Sequence, residues 1–209
     1  AQIARKDDFL QQLQEFLAQH KGENWCVSAI DIEHFKLYTE LYGSQQAHSL
    51  MLSLTALLLE HSKATGSPVG YFGSDDFVLC LPDDKEQQLA IISQLQTCVN
   101  DHRQDITSFL SFGVCPVAEH PDADAQTLCS YAQIASVDPS PAVGGMHRFT
   151  PAMLSRLKKQ RQLLSELEHA LKNHEFCFFL QPKCNSMTRA IVGMEALVRW
   201  NHPTRGCVP

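Results

Sequence analysis

The stretch Val69-Gly70-Tyr71-Phe72-Gly73-Ser74-Asp75-Asp76-Phe77-Val78-Leu79-Cys80-Leu81-Pro82 decides how the rest of the chain is read. Two apolar runs, Val69–Phe72 and Phe77–Leu81, flank the polar tetrad Gly73-Ser74-Asp75-Asp76. Such runs around a glycine-containing turn predict a β-hairpin. Its tip carries two adjacent carboxylates, which repel each other and gain nothing from a core. A cation near the turn would remove that objection. A merely solvated acidic turn is the other reading, because Asp is common in turns. Upstream, Ala29-Ile30-Asp31-Ile32-Glu33-His34-Phe35-Lys36 places a further acid near the end of a second predicted strand. Hard oxygen ligands from two strand ends, with a lysine beside them, suit Mg2+ bridging nucleotide phosphates.

The bulk properties allow this chemistry and exclude others. With 209 residues, 44% hydrophobic and 19% charged, the chain fits one large soluble domain, or one domain plus part of another. A net charge of −6 without a basic stripe argues against a nucleic-acid polymer as partner. No apolar run approaches the roughly 20 residues that span a bilayer; the longest, Leu50–Leu59, is interrupted by Ser53 and Thr55. No signal peptide is visible. Further sequence is expected before Ala1, where any membrane attachment of the parent protein would lie. The eight cysteines, at 26, 80, 98, 115, 129, 177, 184 and 207, form no Cys-x-x-Cys pair. They read as reduced, buried packing residues of a cytosolic protein rather than as a zinc site. The ten histidines are dispersed and read mostly as surface residues.

In chain order, Asp7–His20 is an amphipathic helix with Phe9, Leu10, Leu13, Phe16 and Leu17 on one stripe. Trp25–Ile32 is a buried strand whose acid lies near its C-terminal end, where α/β sheets favour ligands. A helix over Tyr38–His61 precedes the hairpin. Asp83 and Asp84 cap a helix over Lys85–His102, a strand covers Ile106–Pro116, and Asp122 and Asp124 introduce a helix to Ser136. A loop at 137–145 and a short strand, Met146–Phe149, close a domain of about 150 residues. The order αβα-ββ-αβαβ predicts an α+β sandwich, a mixed and mainly antiparallel sheet with helices against it. Thr150 and Pro151 then start a helix to Asn173 that reads as an interdomain connector. Its apolar stripe suits pairing between protomers in a homodimer, or packing on its own domain. Two strand-like runs follow, Glu175–Pro182 and Ala190–Trp200, around the turn Asn185–Arg189. Two strands lack a complete core, so a truncated second domain is expected over 174–209.

These motifs resemble a known family. Asp31-Ile32-Glu33-His34-Phe35-Lys36, Gly43, Gly73-Ser74-Asp75-Asp76-Phe77 and Ser111-Phe112-Gly113 are similar to the palm-like GGDEF domains that make cyclic di-GMP from two GTP. Gln181-Pro182, the run Gly193-Met194-Glu195-Ala196-Leu197-Val198-Arg199-Trp200, and His202-Pro203 resemble the opening of an EAL phosphodiesterase domain, a TIM-like barrel. The resemblance therefore implies a bacterial cyclic di-GMP signalling protein of the GGDEF–EAL type, active in the cytosol or at the inner membrane, with residues 1–150 as its GGDEF-like part. It implies that Asp31, the Ile32 carbonyl and Asp76 hold Mg2+ or Mn2+, and that Asp75 lies beside the attacking hydroxyl as ligand or base. Phe35, Lys36, Thr39, His48, Gly73 and Ser74 would then line the GTP site. In the EAL part, Glu195 would be a catalytic metal ligand, with Gln181 and Arg199 near the cyclic dinucleotide.

The departures are as informative. Ser74 stands for the second signature glycine, Asp76 for its glutamate, and Tyr71 for an arginine two residues before it. Thr39 and His48 replace the asparagine and aspartate that read guanine, and Ser44 and Ala47 replace the His and Gly of the helix motif. The helix carrying a lysine near its end has become Ala132-Gln133-Ile134-Ala135-Ser136-Val137-Asp138-Pro139-Ser140. The product-inhibition motif, which would fall at 64–67, is absent. Losing partners for a base edge removes most discrimination for that base. The expectation is a degenerate GGDEF half that regulates or binds a nucleotide with weak metal affinity, in a parent that hydrolyses cyclic di-GMP. An active cyclase and a wholly non-catalytic receptor or scaffold are the alternatives.

Overall fold

A six-stranded sheet carries the first part of the chain in the computed structural model, which describes residues 3–102, 110–140 and 146–208. Its strands are β1 (Ala4–Arg5), β2 (Trp25–Ile32), β3 (Val69–Gly73), β4 (Asp76–Pro82), β5 (Leu110–Pro116) and β6 (Met146–Arg148), in the spatial order β1-β3-β4-β2-β5-β6. β2 runs antiparallel to both its neighbours, β4 and β5, and β3 runs antiparallel to β4. The outer pairings, β1 with β3 and β5 with β6, are parallel. The predicted mixed, mainly antiparallel sheet is the one observed.

β2 is almost continuously apolar because both faces of the sheet are covered. Cys26, Ile30 and Ile32 join the core under α2 (Phe35–Thr65) and α3 (Lys85–Asp101). The alternate residues Val27 and Ala29 pack under α1 (Lys6–Gln19) and α4 (Ala125–Ser136). Period-two alternation thus sends successive side chains into two separate cores. Of the acids read at helix starts, Asp84 and Asp124 cap, accepting from the Gln87 N–H at 2.8 Å and the Thr127 N–H at 2.7 Å, whereas Asp83 pairs with Arg148 at 3.0 Å.

Two elements of this sheet and its helices differ from the sequence reading. α2 is longer than Tyr38–His61 because left-handed residues set its ends, His34 at φ 60° and Gly66 at φ 72°. Gly43, at φ 82°, breaks it internally, a conformation that glycine adopts without a steric penalty. β1 was not foreseen, since two residues carry no periodicity. The start expected for β5, Ile106, and the end of the 137–145 loop lie outside the described residues.

The cysteine reading also needs correction. Cys26, Cys80, Cys115 and Cys129 are buried, whereas Cys184 and Cys207 are exposed. None of the described histidines is buried, although the partly exposed His61 and His120 each bury Nε2.

The chain divides into two units, residues 1–154 and 155–209, and the division falls within α5 (Pro151–Lys172). The second unit also holds β7 (Phe176–Cys184), β8 (Ile191–His202) and β9 (Gly206–Val208), an antiparallel sheet in that order. Asn185 makes the β7–β8 turn by accepting from the Met187 and Thr188 N–H groups, both at 2.9 Å. Trp200 is buried and donates to Glu175 Oε2 at 2.9 Å. β9 was not foreseen, because Gly206-Cys207-Val208 is too short to alternate. Phe178, Leu180, Met194 and Val198 are exposed, and no closed barrel forms among the described residues.

The seat of α4 on the sheet depends on one position. A Cβ on Gly113 would stand 1.9 Å from the Ala132 carbonyl oxygen and 2.2 Å from the Ser136 nitrogen. Both obstacles are helix backbone, which cannot swing aside. Gly113→Ala should therefore cost about 3 kcal/mol and lower the thermal midpoint by roughly 10 °C. A shift below about 2 °C in a thermal melt would mean that the helix does not sit this close.

Candidate active site

The strand register brings the predicted acids together. Ile30 on β2 faces Phe77 on β4, so the next antiparallel step sets Asp31 opposite Asp76. On its other side Asp31 faces Ser111 of β5. Asp75 sits in the turn that joins β3 to β4, beside Gly73 at φ 110° and Ser74 at φ 54°. The second is a left-handed backbone bearing a side chain, at a cost of about 1–2 kcal/mol. The Tyr71 hydroxyl donates to the Ser74 carbonyl at 2.9 Å.

The carboxylates disturb one another. Burial, then Asp75, Asp76 and Glu33 in decreasing order, push Asp31 up from its usual value to about 6. Burial and the neighbouring Asp75 also raise Asp76. Among the described residues none of these acids has an ion-pair partner, and Lys36 stands exposed on the first turn of α2. Half-buried, mutually repelling hard oxygens fit a divalent cation. No group of three or more His, Cys, Asp or Glu side chains among the described residues could hold one. A cation there would need backbone or phosphate oxygens besides Asp31 and Asp76, and Ile32 follows Asp31 at the end of β2.

The other nucleotide-site candidates are less well poised. Phe35 is half-buried and stacks on Tyr38, with ring centroids 6.3 Å apart. Thr39 donates its hydroxyl to the Phe35 carbonyl of its own helix at 3.0 Å. His48 is exposed and lies past the break at Gly43. α4 ends at Ser136, whose carbonyl accepts from the Ser111 hydroxyl. The carbonyl end of that helix therefore reaches the strand position facing Asp31, and it adds no positive charge there.

In the second unit, Gln181 and Glu195 face each other across β7 and β8. Glu195 pairs with Lys183 Nζ at 3.2 Å, both side chains being at least half exposed. Arg199 lies four residues along the same face as Glu195 and donates to its own strand, to the Val198 carbonyl at 2.8 Å. Sequence reasoning missed Lys183 and the Tyr71 hydroxyl. Lys183 was readable, since it shares a strand face with Gln181. Tyr71 was noted only as a missing arginine.

The Asp31 shift fixes a sign. Folded Asp31 binds its proton more tightly than an unfolded aspartate, so it makes the folded state lose stability as pH rises through about 6. The shift of about two pH units would amount to about 3 kcal/mol at full strength, and solvent screening at this half-exposed group reduces that to about 1 kcal/mol. Asp31→Asn should stabilise the protein by that amount at pH 7.5 without divalent cations, and by almost nothing at pH 4. Chemical denaturation at the two pH values checks this, and equal effects at both would contradict it.

Comparison with known proteins gives this geometry a context. The family profile described as "Diguanylate cyclase, GGDEF domain" matches residues 2–138, and the profile described as "EAL domain" matches residues 164–209. An uncharacterized signaling protein of Caulobacter vibrioides is 28% identical over 90% of this chain and 24% of its own length. The cyclic di-GMP phosphodiesterase PdeR of Escherichia coli is 26% identical over 96% of this chain and 31% of its own. The chain thus spans about a quarter to a third of the length of these curated relatives. Among solved structures, the S helix-GGDEF-EAL part of Vibrio cholerae LapD, bound to c-di-GMP, aligns with a TM-score of 0.57 at 17% identity, covering 96% of this chain and 48% of that one. That likeness is one of fold. No helix among the described residues is long and apolar enough to cross a membrane.

Proposed function

Because the chain belongs to the diguanylate cyclase GGDEF domain family and matches the EAL domain beyond it, we propose that it serves cyclic di-GMP signalling as a degenerate GGDEF module preceding a phosphodiesterase domain. One observation carries this reading: Asp31 and Asp76 lie at the ends of adjacent strands, both are raised by burial and then by neighbouring carboxylates, and neither has a cationic partner among the described residues. Asp31, Asp76 and the Ile32 carbonyl would hold Mg2+ or Mn2+, which when bound would neutralise nucleotide phosphate and polarise it. Lys36 contacts a phosphate, and Asp75 lies beside the ligand hydroxyl.

Three features weaken catalysis in this half. Ser74 strains the signature turn, Thr39 spends its proton on its own helix, and α4 ends without a lysine. The module therefore binds nucleotide phosphate loosely and regulates, rather than synthesising cyclic di-GMP. In the longer protein, Glu195 serves the phosphodiesterase metal site, with Gln181 and Arg199 beside the dinucleotide. A second reading, a receptor that holds cyclic di-GMP uncleaved, draws on the c-di-GMP-bound LapD structure. We place the protein in the cytosol, with any dimerisation or membrane attachment belonging to the longer chain.

Calorimetry of this chain with GTP and Mg2+ tests the first half. Weak heat that Asp31→Asn abolishes is expected, and none at millimolar GTP would leave a purely structural role. In the longer protein, Glu195→Ala should abolish cyclic di-GMP hydrolysis. A wild-type protein that binds cyclic di-GMP without cleaving it would favour the receptor.

A further inference from the structure

Ser74 is the residue of the hairpin tip whose backbone sits where a side chain is disfavoured, at φ 54°. Its neighbour Gly73, at φ 110°, has no side chain to object. Something must hold Ser74 in place, and the geometry supplies it. Tyr71 faces Phe77 across the β3–β4 ladder, just before the irregularity between Tyr71 and Gly73. The two rings pack at 5.3 Å, and Phe77 is fully buried. From that anchored ring the Tyr71 hydroxyl reaches over the turn and donates to the Ser74 carbonyl at 2.9 Å. That carbonyl belongs to the same peptide plane as the Asp75 N–H. Fixing it fixes how the chain enters Asp75 and Asp76. The phenol is close enough to both carboxylates that they hold its proton more tightly than usual, after burial has done the larger share.

We propose that Tyr71 is a positioning residue, paired with Ser74, which holds the left-handed turn and so sets Asp75 and Asp76 against Asp31. The pairing explains how a serine occupies a turn position that suits glycine. A phenol bridging the turn supplies the restraint that a strained residue needs, and glycine at position 74 would make it dispensable. The consequence for cation binding rests on the proposed function above. The consequence for the Ser74 backbone does not.

Four proteins test this: wild type, Tyr71→Phe, Ser74→Gly and the double variant. Tyr71→Phe keeps the ring and its contact with Phe77, so the unfolding constant should rise by no more than about fivefold, the worth of one hydrogen bond. In that variant the Ser74 Cα and Cβ chemical shifts should move away from left-handed values, and Mn2+ affinity measured by paramagnetic line broadening should fall about fivefold, the same factor if the freed turn averages over non-binding conformers. The double variant should recover Mn2+ affinity to within about twofold of wild type, because glycine holds the left-handed turn unaided. Unchanged Ser74 shifts in Tyr71→Phe would overturn the proposal, as would a double variant that binds Mn2+ no better than Tyr71→Phe. A wild type that shows no Mn2+ broadening would overturn the cation reading instead, and the Ser74 shifts would still decide the pair.

Discussion

Two carboxylates face each other at the end of the central strand, and the surrounding fold keeps them there. Asp31 is the penultimate residue of β2 and falls opposite Asp76, the first residue of β4, because six consecutive residue pairs from Trp25–Pro82 to Ile30–Phe77 set the register up to the step before it. A slip of one residue would send the apolar side chains of β2 to the wrong faces, and both faces are occupied by buried cores. The sheet cannot relax to separate the charges without losing hydrophobic burial. Burial first, and then repulsion from neighbouring carboxylates, make Asp31 and Asp76 bind their protons more tightly than usual. A divalent cation would relieve that repulsion, and in the proposed function that cation would carry a nucleotide phosphate.

The hairpin shows how much of this was legible in the sequence. Apolar runs around Gly73-Ser74-Asp75-Asp76 located the turn, and the single acid in Trp25–Ile32 located its counterpart, because strand alternation and turn chemistry are local signals. The apposition of Asp31 with Asp76 is not local; it depends on strand order and register, which place β4 beside β2 rather than β5 beside β4. The same limit hid β1, which exists only because β3 offers it an edge, and the full length of α2, whose ends are set by left-handed residues rather than by an apolar stripe. Tyr71 looked like a lost arginine. Its hydroxyl takes its meaning from where Ser74 turns in space.

The second unit is a different case. Its β7 and β8 strands pair through nine registered positions, yet they leave Phe178, Leu180, Met194 and Val198 exposed. Hydrogen bonding and the Trp200–Glu175 contact define the hairpin without supplying a full core. Glu195 there pairs with Lys183 at the surface, in contrast to Asp31, which has no ion-pair partner among the described residues. The two candidate metal-ligand acids thus differ, Glu195 paired and Asp31 poised. The poised one is where this chain by itself is expected to meet a cation.

The thermal midpoint at pH 7.5 as a function of Mg2+ or Mn2+ concentration tests that expectation most directly, because a ligand that binds only the folded state raises stability in proportion to the logarithm of its concentration. The account predicts a rising midpoint in the wild-type chain and a flat one when Asp31 and Asp76 are both replaced by Asn. A wild-type midpoint that ignores the cation, or a rise that survives in the double variant, would contradict it.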